Sequence, residues 1–326
     1  MSVPTDPCPY GFRILGPTTG TRRLVGAGRA WHGYLACVEE AQVNREAYLS
    51  AFTYGENFRY YLIGNGTTKG YAGVCAASFI WWDIDREDDL DLAINDARRL
   101  AVAITDRLKL RDDDLLVFFS GAKGFHLGLP TCLWAPEPST TFNRTARAFA
   151  EEIAASAQVS IDGGVYDKVR AFRAPNSRHP KTGLHKRRLS LDELLNLSVN
   201  AILMLAQAPA AIEWEPPTGI SDAAADHWDT ASQQIESQTR ATVERFADGP
   251  PKALNRLTLE FIRHGAMQGD RHRLLFSAAA NLAEFGCPPA LAHALLTEAG
   301  LDSGLPPKEV RRQIESGLAA KGTNHA

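Results

Sequence analysis

The chain has 326 residues, 44% of them hydrophobic and 22% charged, with a net charge of −3 at neutral pH. That is the composition of an ordinary globular protein with room for one large or two smaller domains. Its cysteines, Cys8, Cys37, Cys75, Cys132 and Cys287, are odd in number and never spaced as a CxxC pair; this argues against a disulfide framework and an ordinary structural zinc site, and fits a reducing cytoplasm.

The N-terminus, Met1 to Pro7, lacks a basic region followed by an apolar stretch, so no signal peptide is expected. Residues 28–50 read as a helix, with Trp31, Leu35 and Val38 at i, i+4 and i+7. Phe58 to Ile63 reads as a strand ended by the turn Gly64-Asn65-Gly66. Ala76 to Trp82 is an apolar run suited to a strand buried on both faces. Leu90 to Leu108 has a helical period. Leu115 to Phe119 reads as a second buried strand, with His126 to Leu129 as its hairpin partner. Thr140 to Ala157 is helical, and Val165 to Arg173 alternates in part like a strand. Leu191 to Ala206 reads as one helix, capped by Ser190 with Glu193 completing a capping box. Strands mixed with crossing helices make residues 1–214 an α+β (or α/β) domain. The apolar stretch from Ala201 to Ala211 contains Gln207 and Pro209 and is too short to span a membrane.

Residues 215–251 are polar and bounded by Pro216-Pro217 and Pro250-Pro251, which predicts a linker with a solvated helix from about Asp229 to Phe246. Residues 252–326 read as a small all-α bundle, with helices near 253–265, 271–286, 288–299 and 306–319. Charge is polarised along the chain. Between residues 168 and 188 lie Lys168, Arg170, Arg173, Arg178, Lys181, Lys186, Arg187 and Arg188, while acids gather at 87–91, 112–114 and 222–229. A basic face of that kind suits a phosphate backbone; its plainer alternative is a solvated loop.

Three segments carry chemistry. Asp83 and Asp85 follow the apolar run Phe79 to Trp82, and in a strand such a pair shares one face about 6.6 Å apart, fit to grip Mg²⁺ or Mn²⁺. Ser120-Gly121-Ala122-Lys123-Gly124-Phe125-His126 brings a hydroxyl, an ammonium and an imidazole to a glycine-permitted turn, donors that suit a triphosphate. It is not a P-loop, because no GK[ST] ending occurs in the chain. Asp162 follows Ile161 and precedes Gly163-Gly164, which makes it the preferred third carboxylate, with Asp167 as the competitor. Arg170 and Arg173, three apart, would face opposite sides of a regular strand, so a bulge or separate roles are required. Three carboxylates, a divalent pair and a triphosphate grip together describe two-metal phosphoryl transfer.

In that order, Ile80-Trp81-Trp82-Asp83-Ile84-Asp85, Ser120 to His126, Ile161-Asp162 and Val165 to Arg173 resemble the hhhDhD/E, SGxKGxH, hD and basic-strand motifs of the archaeo-eukaryotic primase superfamily. The segment from Arg173 through Leu184 is similar to stretches in its plasmid and phage primase-polymerases. The resemblance covers about residues 30–215. It implies an RRM-like mixed sheet packed on an N-terminal α/β module. It implies metal ligation by Asp83, Asp85 and Asp162, and triphosphate contacts from Ser120, Lys123, Gly124 and His126. Arg170 and Arg173 would contact nucleotide or DNA phosphates, and the basic run Arg178, Lys186, Arg187 and Arg188 would contact DNA. The segment from Gly269 to Gly322 also resembles the helical domain that follows such cores. The implied activity is template-dependent priming and polymerisation on single-stranded DNA from nucleoside triphosphates, with Mg²⁺ or Mn²⁺ and no zinc. Longer relatives carry a fused helicase that this sequence lacks, so the resemblance leads one to expect unwinding from another protein. Two other readings stand beside it: an end-joining or gap-filling polymerase without de novo priming, and a non-catalytic replication-initiator protein that keeps the fold.

Overall fold

The computed structural model describes residues 6–87, 89–247, 253–267 and 269–320, which form two compact units, 1–236 and 237–326. The first unit opens with strands β1 (Tyr10–Leu15) and β2 (Arg23–Gly26), helix α1 (Ala27–Leu35), strands β3 (Ala47–Ser50) and β4 (Thr53–Tyr54), helix α2 (Glu56–Asn65) and strand β5 (Cys75–Ala76). Strand β6 (Phe79–Asp85), helix α3 (Leu90–Leu108), strands β7 (Leu116–Phe119) and β8 (Gly124–Pro130), and helix α4 (Phe142–Ser156) follow. Strands β9 (Ala171–Arg173) and β10 (Arg187–Leu189), helices α5 (Leu191–Asn196) and α6 (Val199–Leu205), and the first part of α7 (Asp222–Ala247), which runs past the boundary at residue 236, come next.

Two antiparallel sheets organise this unit. The first runs β5-β4-β1-β3-β9, with β2 also on β1; the second runs β10-β7-β8-β6. The architecture is α+β. Strand alternation sends Trp82 and Ile84 of β6 to one face and Trp81, Asp83 and Asp85 to the other. Helices α3 and α4 pack on the Trp82 face, where the Trp82 indole N–H donates to the Ala150 carbonyl at 3.0 Å. On the other face an aromatic layer joins the two sheets: Trp81 lies 5.2 Å from Phe172 of β9 and 6.1 Å from Phe118 of β7. Burying aromatic area of this size contributes a few kcal/mol per ring, roughly 25 cal/mol per Å².

Several sequence expectations change. The helix expected over 28–50 stops at Leu35; Cys37 and Gln42 take left-handed backbone (φ 52° and 51°), and the chain then returns as β3 between β1 and β9. The strand expected at Phe58–Ile63 is helix α2. Its aromatic run looks β-like, but Phe58 and Leu62, one turn apart, are the buried pair, and Phe58 stacks on Tyr54 at 3.9 Å. Tertiary packing overrides local propensity there. Only Ala171–Arg173 of the expected strand 165–173 is extended; Gly163–Tyr166 is a 3-10 turn. The helix 191–206 is two helices, broken at Leu197, although the Ser190/Glu193 capping box forms as read.

The helix expected near 229–246 runs from Asp222 to Ala247, and its start is not solvated. Ala224, Trp228, Ala231 and Ile235 are buried, and Trp228 lies 4.9 Å from Phe142 and 5.9 Å from Phe149. In the second unit, α8 (Arg256–His264), α9 (Arg271–Glu284), α10 (Pro289–Asp302) and α11 (Pro307–Ala319) enclose their own core of Phe261, Leu275, Leu282, Leu296, Val310 and Ile314.

Candidate active site

Asp83 and Asp85 end β6 on its aromatic face. The antiparallel register sets Asp83 opposite His126 and Asp85 opposite Gly124. Arg86 locks this strand end. Its guanidinium donates to Asp96 (Nε to Oδ2, 2.7 Å), to the Asp85 carbonyl at 2.8 Å and to the Ser160 carbonyl at 2.9 Å. The free edge of β6 receives the next segment, where the Asp162 N–H donates to the Asp83 carbonyl at 2.9 Å.

The Ser120–Lys123 turn is built by its own hydrogen bonds. Gly121 has φ +89°, a left-handed value that favours glycine. Ser120 Oγ accepts the N–H of Gly124 at 3.2 Å and of Ala122 at 3.4 Å. With both lone pairs engaged, its remaining role is to donate its proton. Gly124 has a packing reason of its own: a Cβ there would sit 1.9 Å from the Ile84 carbonyl oxygen and 2.6 Å from Asp85 Oδ1. Lys123 Nζ lies 3.3 Å from Asp85 Oδ2 and 3.5 Å from Glu87 Oε1.

His126 is buried, with Nε2 3.3 Å from Asp83 Oδ1 and its ring 4.4 Å from Phe172. Burial, with Lys186 nearby, brings its pKa down to about 4, so it is neutral at physiological pH. Burial pushes the Asp83 carboxyl up, but His126 and the cations Lys186 and Arg170 outweigh it and hold Asp83 below the usual range. Asp85 is raised by burial and by Asp83, with Lys123 opposing. Both carboxylates are thus withdrawn from water and set among charged neighbours, unlike a solvated turn.

A cavity of about 610 Å³ gathers Asp83, Asp85, Ser120, Lys123, His126, Arg170 and Arg173. It also takes in Thr18, Arg22, Tyr48, Asp167 and His179, which sequence reasoning did not assign to the site. Asp167 enters the sequence reading only as the competing third acid, and His179 only as one of the residues within the basic run 168–188. Arg22 carries no sequence signal at all, because only the β1–β2 hairpin brings it here. Asp162 stands outside the cavity lining: its carboxylate accepts the Gly164 N–H at 2.8 Å and pairs with Arg170 at 3.3 Å. Among the described residues, no three His, Cys, Asp or Glu side chains are gathered as a metal cage. What fits a hard cation is the β6 pair, where Asp83 Oδ1 is buried without a hydrogen-bond partner and Asp85 lies two residues on. A larger cavity of about 670 Å³ shares Phe172 and Arg173 but is walled by Trp31, Phe79 and Trp81 and holds none of the β6 carboxylates.

The predicted DNA-contacting set divides. Lys186 has no exposed surface. Its ammonium donates to the Arg173 carbonyl at 2.9 Å and lies 4.4 Å from the Phe172 ring and 4.9 Å from those of Trp81 and Phe118. The expected DNA contact from Lys186 is thus corrected. Arg188 is half-buried against the carbonyls of Val117 and Leu115 (3.4 and 3.5 Å), and burial lowers its pKa to about 10. Arg187 is half-buried on the edge strand β10, and Arg178 is exposed.

No family model matches the chain, and no curated protein matches it. Among solved structures it is similar to the crystal structure of primase RepB′, with a TM-score of 0.37 and 14% identity over 97% of this chain and 95% of that one. A likeness of that size settles neither fold nor activity. Among the described residues, no helix is long and apolar enough to cross a membrane.

Proposed function

We propose that this chain is a template-dependent DNA primase and polymerase, joining nucleotides on single-stranded DNA. One observation carries the proposal: the paired carboxylates of β6 share a single cavity with the Ser120/Lys123/His126 donors and with Arg170 and Arg173. A carboxylate pair beside a set of phosphate donors is the chemistry of nucleotidyl transfer.

Asp83 and Asp85 would hold Mg²⁺ or Mn²⁺, with Asp162 as third ligand. The bound ions would activate the primer 3′-hydroxyl and steady the leaving pyrophosphate. Asp162 would have to turn from Gly164 and Arg170 to serve. Ser120 donates its hydroxyl proton, and Lys123 its charge, to the incoming triphosphate. In doing so Lys123 exchanges Asp85 for phosphate, and Arg170 likewise exchanges Asp162. His126, neutral and pressed on Phe172, stands with Nε2 3.3 Å from Asp83 Oδ1 and would turn its ring N–H to the incoming triphosphate. The RRM-like description of the two-sheet core, the helical unit as an aid to priming, and a separate helicase belong to the same proposal.

The test is extension of a primer annealed to a DNA template, with labelled nucleotides and Mg²⁺ or Mn²⁺. Wild type should extend and Asp85→Ala should not; equal extension by both would remove the β6 pair from the chemistry.

A further inference from the structure

Two arginines in the cavity wall pair with no acid among the described residues. Arg22, at the start of the β2 arm, lies over the Phe12 ring at 5.4 Å, and its Nε is buried without a hydrogen-bond partner. Arg173 lies over the Tyr48 ring at 4.9 Å and donates to the Tyr48 hydroxyl at 3.0 Å, while its Nη1 is buried and unpartnered. Tyr48 in turn donates to Glu46 at 2.6 Å, so that carboxylate is engaged behind the ring. In the same unit Arg86 and Arg99 pair with Asp96, Arg147 with Glu151 and Arg170 with Asp162, while Arg13, Arg98 and Arg188 are taken up by backbone carbonyls. Buried unpaired guanidinium nitrogens are costly and call for a partner. A guanidinium laid on an aromatic face keeps its planar fork available to an anion.

His179 completes the group. Its Nδ1 accepts the N–H of Lys181 at 3.3 Å and of Thr182 at 3.4 Å, which places the ring proton on Nε2 as a donor. The loop that carries it is pinned to the Ser120–Lys123 turn, because Thr182 Oγ1 donates to the Gly121 carbonyl at 2.5 Å. Burial, with Arg173 beside it, brings its pKa down to about 4, so it donates as a neutral ring.

We infer that Arg22, Arg173 and His179 form a second phosphate-binding subsite within the cavity that also holds the Ser120/Lys123 grip on the incoming triphosphate. This rests on the polymerase reading for its biological setting, but not for its chemistry. The ligand is a phosphate group of a second nucleotidyl species. It comes either from the 5′-triphosphate of the initiating nucleotide or from a phosphodiester of the DNA strand.

Equilibrium binding by the full chain, without divalent metal and without synthesis, tests this. Two probes are titrated across 50–200 mM salt, which is the informative range for phosphate contacts: ATP and a fluorescent single-stranded oligodeoxynucleotide. Arg22→Ala and His179→Ala should each weaken one probe, Arg22→Ala by about tenfold. Loss confined to ATP, and additive with the loss caused by Lys123→Ala, identifies the initiating triphosphate; a non-additive loss assigns Arg22 to the incoming triphosphate and overturns the second subsite. Loss on the oligonucleotide, with a salt slope reduced by about one, identifies a backbone phosphate. Arg22→Lys, which keeps the charge but loses the fork, should fall between wild type and Ala, and it serves if Ala does not fold. Folded variants that bind both probes like wild type overturn the subsite. Asp83→Ala should retain this binding. A wild type that binds in an Arg22-dependent way yet never synthesises would sink the polymerase reading and leave the subsite standing.

Discussion

Lys186→Met separates a buried structural lysine from a DNA-contacting one. The ammonium has one hydrogen bond, to the Arg173 carbonyl at 2.9 Å, and three rings at 4.4 to 4.9 Å. The ring contacts are worth about 2 kcal/mol when desolvated, and a hydrogen bond from a charged donor about 1.5–3 kcal/mol. Against them stands the desolvation of an ammonium, several kcal/mol. The Asp83 carboxylate adds a further attraction and Arg173 a repulsion, so these nearly cancel, and methionine fills the same channel with a flexible apolar chain. The expected result is a variant between neutral and about 2 kcal/mol more stable at pH 7 by urea unfolding. Burial holds the Lys186 pKa well below 10.5 in the folded protein. The unfolded chain therefore binds more protons below that value. Wild-type stability should climb as pH rises toward 10.5, and Lys186→Met should lose that climb. Its DNA-binding salt slope should equal wild type's, because the side chain reaches no surface. A loss of more than about 3 kcal/mol, or a slope lower by about one, would refute the reasoning.

Gly124→Ala forces a Cβ to within 1.9 Å of the Ile84 carbonyl. It should cost about 1–3 kcal/mol in urea unfolding and displace Asp85, reducing synthesis even though glycine carries no functional group. Trp228→Ala empties the contact of α7 with Phe142 and Phe149 and should cost about 3–5 kcal/mol; a cost under about 1 kcal/mol would mean that this helix does not belong to the core. Asp85 has a raised folded pKa, so its contribution is full below the unfolded value of 3.8 and is lost as pH rises through the folded one. Asp85→Asn should therefore be at least as stable as wild type at pH 7 yet inactive, and its relative stability should fall away in acid; the opposite trend in a thermal scan against pH would contradict the burial argument.

The sequence was most legible where one physical signal dominated. The β6 strand, the α3 helix and the β7–β8 hairpin follow from apolar runs and period, and they place Asp83, Asp85, Ser120, Lys123 and His126 in one cavity. Aromatic-rich Phe58–Ile63 misled because propensity there points to a strand, while one-turn spacing and the Tyr54 and Phe12 rings decide for a helix. The basic run misled for a related reason: charge says nothing about direction, and Lys186, just before β10, turns inward while Arg178, bridged to His185 on the preceding loop, stays exposed. Arg22 was invisible because its place depends on how the β1–β2 hairpin folds back toward the carboxylates. Asp162 and Asp167 were both in view, and what sequence could not supply is which carboxylate lines the cavity.

The most direct test of the central claim is synthesis on unprimed single-stranded DNA, with labelled ribo- and deoxyribonucleotides, Mg²⁺ or Mn²⁺, and Asp83→Ala alongside. Short products from wild type alone are expected. Extension only when a primer is supplied would point to a gap-filling polymerase, and no product in either format, with the protein folded and binding DNA, would contradict nucleotidyl transfer itself.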